Sequence, residues 1–380
     1  MSLKKIIKYI KRMLLVLVTL SVLAVIGYLL FVSYYPSFGG DVSKELQTKY
    51  SSSENYKNGA FVNRKNVPED LSFWETVKIA RKFFFTKVPN GVPKWNVVVE
   101  TLDSVQIADY PGKTRLIWFG HSAFLLQMEG KNILIDPMFG DVPAPHPILG
   151  GKRFSKELPI AVEQLPKIDA VIFSHDHYDH LDYESVLKLK DKVEHFYTPL
   201  AVGVHLRAWG IEPERIVELD WWQNVTHGNL EFVCTPAQHF SGRKFGNRQS
   251  TLWSSWVIRS SSESIFFSGD SGYGPHFKEI GEKYGPFDFA MMECGQYNES
   301  WPDIHMFPEE TVQAGKDVGA KVVMPIHWGA FKLALHSWTD PAERATTKAK
   351  AVQIPLVIPK IGAPIILGYS EDSNSDWWKD

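Results

Sequence analysis

This chain has very few cysteines, and neither sign of charge is in large excess. Among 380 residues there are only two cysteines, Cys234 and Cys294. A disulfide framework is therefore excluded as the basis of the fold, and two buried reduced thiols are the simpler prediction, with a single disulfide as the alternative. The net charge is −2, and basic and acidic residues are interspersed. No nucleic-acid partner is predicted.

A long apolar run occurs near the amino terminus, at residues 13–32. Twenty residues at about 1.5 Å each can cross a hydrocarbon core of roughly 30 Å. No small-residue cleavage pattern follows the run, which favours an uncleaved signal anchor over a cleaved signal peptide. The basic tail at residues 1–12 is expected in the cytoplasm, so the prediction is a single-pass membrane protein whose catalytic domain lies on the non-cytoplasmic side.

Residues 33–110 are predicted to form a connector that includes an amphipathic helix. Polar residues dominate 36–70, which favours an extended segment. Residues 70–87 place Phe73, Val77 and Phe84 at helical spacing, with Lys and Arg on the rest of the helix. Such a helix can lie at a lipid interface. The alternatives are a helix packed on the catalytic domain or a contact in a homodimer.

The segment SHDHYDHLD, residues 174–182, follows a short apolar run that predicts a buried strand. A lone histidine is most often a structural residue, but here three imidazoles and a carboxylate stand within six residues: His175, His177, Asp179 and His180. Imidazole nitrogen and carboxylate oxygen are ligands of Zn²⁺ and similar metals. The segment therefore predicts a metal site at the end of a strand.

The same pattern, an apolar strand followed by a potential ligand, recurs at His239, Asp270 and His327. We expect two metal ions. The first would be held by His175, His177 and His239, the second by Asp179, His180 and His327, and Asp270 would bridge them. His121 and Asp136 are candidates for hydrogen-bonding partners that fix the ligands' orientation.

In its ligand pattern the sequence resembles the metallo-β-lactamase superfamily. Within that superfamily it resembles the family of N-acylphosphatidylethanolamine-hydrolysing phospholipases D. The matching blocks lie within residues 114 to 335, and they are GHSAFL, IDPMF, GGKRF, SHDHYDHLDY, ELDWW, TPAQHF, FFSGDSGY, GPFDFA and MPIHWG. GGKRF and ELDWW contain no predicted ligand, so they narrow the resemblance to this family. Asp176 replaces an Asn of the animal enzymes, and residues 294–297 depart from the family's segment.

The resemblance implies an αββα sandwich of the α/β class that binds two Zn²⁺ or other divalent ions. It implies a phosphodiesterase of phospholipase D type that cleaves N-acylphosphatidylethanolamine to an N-acylethanolamine and phosphatidic acid. Two adjacent ions bring a bridging water to hydroxide near neutral pH. The expected catalytic residues are Asp179, Asp270 and His305, the last as donor to the phosphate or leaving oxygen, or else a surface histidine. Lys152 and Arg153 are candidates for contacting lipid phosphate, with capping or surface ion pairs as the alternative.

Other functions stay open at this stage: a soluble phosphodiesterase, a lactonase, and a non-catalytic module that binds lipid. The intact ligand set argues against the last. The hydrolase domain is predicted at residues 111–370, followed by a polar tail at 371–380. Strands are predicted at 116–119, 123–128, 132–135, 170–173, 195–197 and 231–234, and helices at 183–190, 199–208 and 308–319.

Overall fold

A computed structural model describes residues 2–64, 73–108, 110–368 and 376–379. They form two compact units, which divide after Phe38. The first unit contains helix α1 (Leu3–Tyr34) and a single 3-10 turn (Pro36–Phe38). By length and composition α1 is a candidate membrane span. The helix begins before the predicted apolar run because Lys and Arg in the basic segment are good helix formers.

The second unit begins at Gly39 and contains the remaining elements. Its helices are α2 (Lys44–Tyr50), α3 (Phe73–Phe85), α4 (Ser104–Ala108), α5 (Tyr183–Leu189), α6 (Gly203–Ala208), α7 (His276–Tyr284), α8 (Pro308–Asp317) and α9 (Asp340–Val352). Its strands are β1 (Tyr56–Lys57), β2 (Ala60–Phe61), β3 (Arg115–Trp118), β4 (Phe124–Met128), β5 (Lys131–Ile135), β6 (Ile168–Ile172), β7 (Val193–Pro199), β8 (Ile216–Leu219), β9 (Asn224–His227), β10 (Leu230–Thr235), β11 (Ser255–Arg259), β12 (Ser264–Phe267), β13 (Phe289–Glu293), β14 (Val323–Ile326) and β15 (Pro364–Ile366).

Two mixed sheets form the centre of this unit. One has the strand order β15-β3-β4-β5-β6-β7-β8 and the other β14-β13-β12-β11-β10-β9, while β1 and β2 form a separate hairpin. Strands β5 to β8 run parallel to one another, and so do β12 to β14. The carboxyl ends of each parallel set therefore meet at one edge of its sheet, the usual location of sites in α/β folds.

Alternating side chains divide the interior into layers. On β3, Leu116 and Trp118 face the core between the two sheets, whereas Ile117 faces a second core that α5 and α6 cover. On the other sheet, Phe266 faces a third core covered by α7 and α8. The order helix, sheet, sheet, helix confirms the predicted αββα sandwich.

The segment predicted as an extended connector is folded over its described part. Ser43 caps α2 by accepting a hydrogen bond from the Leu46 amide. Tyr50 at the end of α2 and Phe61 in β2 are fully buried in the core between the sheets. The prediction was wrong for residues 39–64 because isolated aromatics in a polar sequence supply the buried contacts without a sustained apolar period. Residues 65–70 lie outside the described residues.

The carboxyl-terminal residues also differ from the prediction. Trp377 and Trp378 are buried, and their rings lie 5.5 and 5.9 Å from that of Trp328. Residues 376–379 are therefore anchored to the core, while 371–375 and 380 lie outside the described residues.

The helix predicted at 199–208 is shorter in the structure than predicted. Strand β7 pairs with β8 as far as Pro199, so α6 forms only after a turn.

Candidate metal centre

The seven predicted ligands lie together where strands of both sheets end. His175, His177, Asp179 and His180 follow β6, and His239 follows β10. Asp270 and His327 follow β12 and β14, two strands of one parallel set. Residues separated by up to 152 positions in the sequence are thus brought to one edge by the strand order.

The donor atoms form two clusters. In the first cluster, donor atoms of His175, His177, His239 and Asp270 all lie within 4.8 Å of one another. In the second cluster the same holds for His121, Asp179, His180 and His327. Each set contains the histidines that the sequence assigned to one ion, and the second set adds His121.

Asp270 lies between the two clusters. Its Oδ2 is 3.8 Å from Nε2 of both His175 and His239, and 3.1 Å from Nε2 of His180. Its Oδ1 is 3.1 Å from Nδ1 of His327. One carboxylate therefore reaches both sets, as a residue that bridges two cations must.

Hydrogen bonds behind the ligands fix their rings. The Asp136 carboxylate lies 2.7 Å from Nδ1 of His180 and accepts a 2.7 Å bond from the Ser174 amide. This is the contact that an orienting residue behind a ligand would make. His239 donates from Nδ1 to the Ile304 carbonyl at 3.0 Å, which leaves Nε2 for the cluster. His121 Nε2 lies 2.8 Å from Asp179 Oδ2, the contact that a partner of a ligand carboxylate would make.

Three residues of the site adopt left-handed backbone conformations. His121, Asp136 and His327 have φ of 55°, 41° and 67°. Such conformations cost roughly 1 to 3 kcal/mol each and persist only where the surroundings enforce them. The His121 amide donates to the Trp328 carbonyl, and the His327 amide donates to the His121 carbonyl. These paired bonds stabilise the turn that carries His327.

Burial sets the charge of the histidines differently in the two clusters. Burial, followed by the neighbouring imidazoles, holds the pKa of His175 and His239 well below its usual value. Burial also opposes a charge on His180, but Asp270, Asp179 and Asp136 outweigh it and raise the pKa of His180 well above its usual value. The first cluster thus presents neutral imidazoles, the form that ligates metals.

The donor set fits a divalent cation. Asp270 Oδ1 and His180 Nε2 are buried. In the part of the chain that the structure describes, neither makes a hydrogen bond of suitable geometry, although each lies 3.1 Å from an atom of another candidate ligand. Buried polar atoms without partners are costly, and a metal ion at this position would satisfy them. Histidine and aspartate are suitable ligands for Zn²⁺ and related ions.

His305 lies in the site and not on the surface. Its ring centroid is 5.1 Å from that of His239 and 5.3 Å from that of His327. Its Nδ1 is 3.1 Å from Oε1 of Glu293, a buried carboxylate at the end of β13. Burial raises the pKa of Glu293 to about 7, although the hydrogen bond from His305 lowers it.

The two predicted phosphate contacts have different environments. Lys152 is exposed and lines a groove with Trp95 and Lys332. Arg153 is buried and donates to the main-chain carbonyls of Phe119, Met138 and Gly140. Because its guanidinium is used inside the protein, the geometry gives Arg153 a structural role and does not support the predicted phosphate contact.

Sequence reasoning missed Glu293 and Gln296. Gln296 stands in the segment that departs from the family, and Glu293 directly precedes that segment. Gln296 donates from Nε2 to the His327 and Phe331 carbonyls and accepts from the Leu333 amide at Oε1. It thereby holds the loop after His327. Glu293 could have been found by the strand-end pattern. It is the last residue of β13, just as Asp270 and His327 come after the ends of β12 and β14.

Cys234 and Cys294 are both free and buried, which confirms the prediction of reduced thiols.

The sandwich and its histidine and aspartate clusters together define a metal-dependent hydrolase. A family model described as a beta-lactamase superfamily domain matches residues 131–328, more than half of the chain. An uncharacterized protein of Mycobacterium tuberculosis (strain ATCC 25618 / H37Rv) is 38% identical over 339 residues, which cover 86% of this chain and 88% of that protein. The chain belongs to the metallo-β-lactamase superfamily.

Two further similarities bear on fold and family. N-acyl-phosphatidylethanolamine-hydrolyzing phospholipase D 1 of Caenorhabditis elegans is 33% identical over 229 residues, which cover 57% of this chain and 64% of that protein. The solved structure of a metallo hydrolase from the archaeon Ignicoccus hospitalis aligns with a TM-score of 0.52 at 21% identity, covering 68% of this chain and 100% of that one. The second similarity concerns the fold alone.

Proposed function

We propose that this hydrolase is a membrane-anchored phosphodiesterase of phospholipase D type that converts N-acylphosphatidylethanolamine to an N-acylethanolamine and phosphatidic acid. The observation that carries the proposal is the position of Asp270 between two ligand clusters, which suits a pair of cations about 3.5 to 4 Å apart. The similarity to the Caenorhabditis elegans phospholipase D supports the substrate class.

Two Zn²⁺ are the proposed cofactors. When bound, such a pair supplies a nucleophile at neutral pH and neutralises negative charge on the phosphoryl oxygens. His175, His177 and His239 would hold one ion, and Asp179, His180 and His327 the other. Asp270 would bridge them, and together with Asp179 it would orient the reacting groups.

His305 is the proposed donor to the leaving oxygen. Its ring lies beside His239 and His327, and its side chain is 12% exposed, so a bound ligand could reach it. An N-acylethanolamine leaves as an alkoxide, which is a poor leaving group unless a proton is delivered to it. Lys152 remains our candidate for contact with the lipid phosphate.

The membrane assignment rests on α1. Residues 13–32 would lie in the bilayer and residues 33 onward on the non-cytoplasmic side. An anchor of this kind would keep the enzyme at its lipid substrate. In α3, Trp74 and Phe85 are 76% and 81% exposed beside Lys78 and Arg81, which supports a lipid-facing helix.

The test is hydrolysis by zinc-loaded full-length protein of N-acylphosphatidylethanolamine and of phosphatidylcholine in mixed micelles, followed by mass spectrometry. Asp270→Asn is the inactive variant, and Asp191→Asn, the same change at an exposed carboxylate, is the matched control. Release of N-acylethanolamine and phosphatidic acid by the parent and the control alone is the expected result.

Failure on both lipids by folded, metal-loaded protein would contradict the lipid assignment. Bis(p-nitrophenyl) phosphate and a simple lactone, assayed beside the lipids, then distinguish a soluble phosphodiesterase from a lactonase. Full activity of Asp270→Asn on any of these compounds would contradict the bridging assignment.

A further inference from the structure

Glu293 occupies a position between two metal-ligand strands. It is the last residue of β13, whose neighbours β12 and β14 lead to Asp270 and His327. All three strands are parallel, so their carboxyl ends lie side by side. Glu293 thus stands at the same edge of the sheet as the candidate metal centre.

The two carboxylate oxygens of Glu293 accept hydrogen bonds from different partners. Oε1 accepts from Nδ1 of His305 at 3.1 Å, and Oε2 accepts from the Met306 amide at 2.8 Å. The backbone is fixed separately, because the Glu293 amide donates to Ser268 Oγ and Thr311 Oγ1 donates to the Glu293 carbonyl. The side chain is therefore not needed to hold the end of β13 in place.

A buried carboxylate requires a reason. Glu293 is fully buried, and among the described residues no Lys or Arg forms an ion pair with it. Burying a carboxylate without a cation costs several kcal/mol, whereas a neutral acceptor would serve the Met306 amide equally well. The partner that distinguishes a carboxylate from a neutral acceptor at this position is the imidazole of His305.

The consequence for His305 is a fixed ring orientation. Because Nδ1 is directed at Glu293, Nε2 is the nitrogen left for a ligand, and within the described residues no hydrogen bond engages it. One ring nitrogen of His305 lies within 4.8 Å of donor atoms of Asp270 and His327. The arrangement is that of a carboxylate that fixes the tautomer and rotation of a functional imidazole.

We propose that Glu293 is a positioning residue, which accepts the Nδ1 proton of His305 in a hydrogen bond and so directs Nε2, with the proton to be transferred, at the leaving oxygen of a phosphodiester. This inference rests on the phosphodiesterase function proposed above. Glu293 itself contacts neither metal nor substrate and acts through His305. It therefore governs the departure of poor leaving groups more than substrate binding.

The kinetic test compares two leaving groups in the zinc-loaded full-length protein. The alkoxide of N-acylphosphatidylethanolamine needs a donor, whereas the p-nitrophenolate of bis(p-nitrophenyl) phosphate leaves without one. We expect Glu293→Gln to lower kcat on the lipid by about 10- to 100-fold at similar KM, within the range for general acid catalysis, and to lower it far less on the nitrophenyl ester. An equal loss on both substrates would overturn the positioning role.

Two controls separate positioning from structure. Thr311→Val removes a hydrogen bond to the same residue's backbone and leaves the His305 contact intact, so it should affect both substrates equally and weakly. His305→Asn should reproduce the pattern of Glu293→Gln. The double variant should lose no more than His305→Asn alone, because the two residues act as one unit. Additive losses would overturn the inference.

A second measurement does not depend on turnover. In the metal-loaded protein labelled with ¹⁵N-histidine, the His305 signals, assigned with His305→Asn, should show protonated Nδ1. Glu293→Gln should shift or lose that signature, and an unchanged tautomer would overturn the inference. If the signature responds as expected but the parent hydrolyses neither diester, the phosphodiesterase function fails while the positioning contact stands.

Discussion

The two clusters of the metal centre have similar ligands but different electrostatic surroundings. In the first cluster, His175, His177 and His239 surround one carboxylate, and burial depresses the pKa of each. In the second, His180 lies against several carboxylates, and their charge raises its pKa despite burial. Without metal, the first cluster is an assembly of neutral imidazoles, and the second holds a proton.

This difference teaches that equal ligand types do not make equal sites. Because a metal binds the deprotonated imidazole, an ion at the first cluster would displace no imidazole proton, whereas an ion at the second would have to replace the proton of His180. Asp270 connects the two, since its oxygens approach ligands of both. The clusters should therefore differ in metal affinity while failing together when Asp270 is lost.

The largest expected effect is that of Asp270→Asn compared with Asp179→Asn. Asp270→Asn should remove metal from both clusters, and turnover should fall by about a thousandfold or more, because the metal pair supplies several kcal/mol of stabilisation. Asp179→Asn should release metal from the second cluster only. Metal content per chain, measured by mass spectrometry of the dialysed variants, checks both. Loss of one ion by each variant would show that Asp270 does not bridge.

Metal removal should come next in magnitude. A ligand at 100 times its Kd adds about 2.7 kcal/mol to stability, so chelation should lower the free energy of unfolding by about that amount for each site. Stepwise return of Zn²⁺ to the chelated protein, with unfolding by urea at each step, should show the first equivalent binding more tightly than the second. Two equivalents of equal affinity would contradict the distinction between the clusters.

A smaller effect is expected from the residue behind the second cluster. Asp136→Asn removes the carboxylate that orients His180, and losses of about 10- to 100-fold in metal affinity are typical of such partners. Asp176→Asn is the matched control, since Asp176 is equally buried among the ligands but bonds to the Gly242 amide and His205. Equal losses in both variants would indicate general damage to the loop.

The residues that cluster at the candidate centre could be chosen from the sequence because its signal is local. His175 to His180 are adjacent in the chain, and each distant ligand follows an apolar strand, so the strand ends indicate where they meet. The sandwich followed from the family resemblance. Asp136, in the matching block Ile-Asp-Pro, was a candidate orienting residue.

Other features could not be predicted because their contacts are tertiary. Tyr50, Phe61 and Trp377 lie in polar segments, and only the folded chain shows that each is buried against the sandwich. Arg153 stands in a block shared with lipid enzymes, yet its donors are directed at main-chain carbonyls. Glu293 ends a strand as the ligands do, but its partner His305 lies twelve residues away, and only the folded chain shows their contact.

The smallest effect in this series concerns pH in the metal-free protein. Unfolded histidine protonates near pH 6.5, whereas burial keeps His239 neutral in the fold. Between pH 6.5 and 5.5 the unfolded chain therefore binds more protons than the folded protein, and stability decreases as the pH is lowered. His180 stays charged in the fold through that window and is mostly charged in the unfolded chain by pH 5.5, so its slope is small at the acid end and opposite in sign. Its stabilisation is present below pH 6.5 and is lost as pH rises through its raised folded pKa.

Two variants divide this pH dependence between the clusters. In chelator, His239→Asn should reduce the acid-side slope of the unfolding free energy by up to about 1.4 kcal/mol per pH unit. His180→Asn should leave the slope at the acid end nearly unchanged and remove a decline in stability above pH 6.5. Urea unfolding at pH 5.5, 6.5 and 7.5 measures both slopes. Identical changes in the two variants would mean that the clusters titrate alike, and the carboxylates around His180 would then not set its charge.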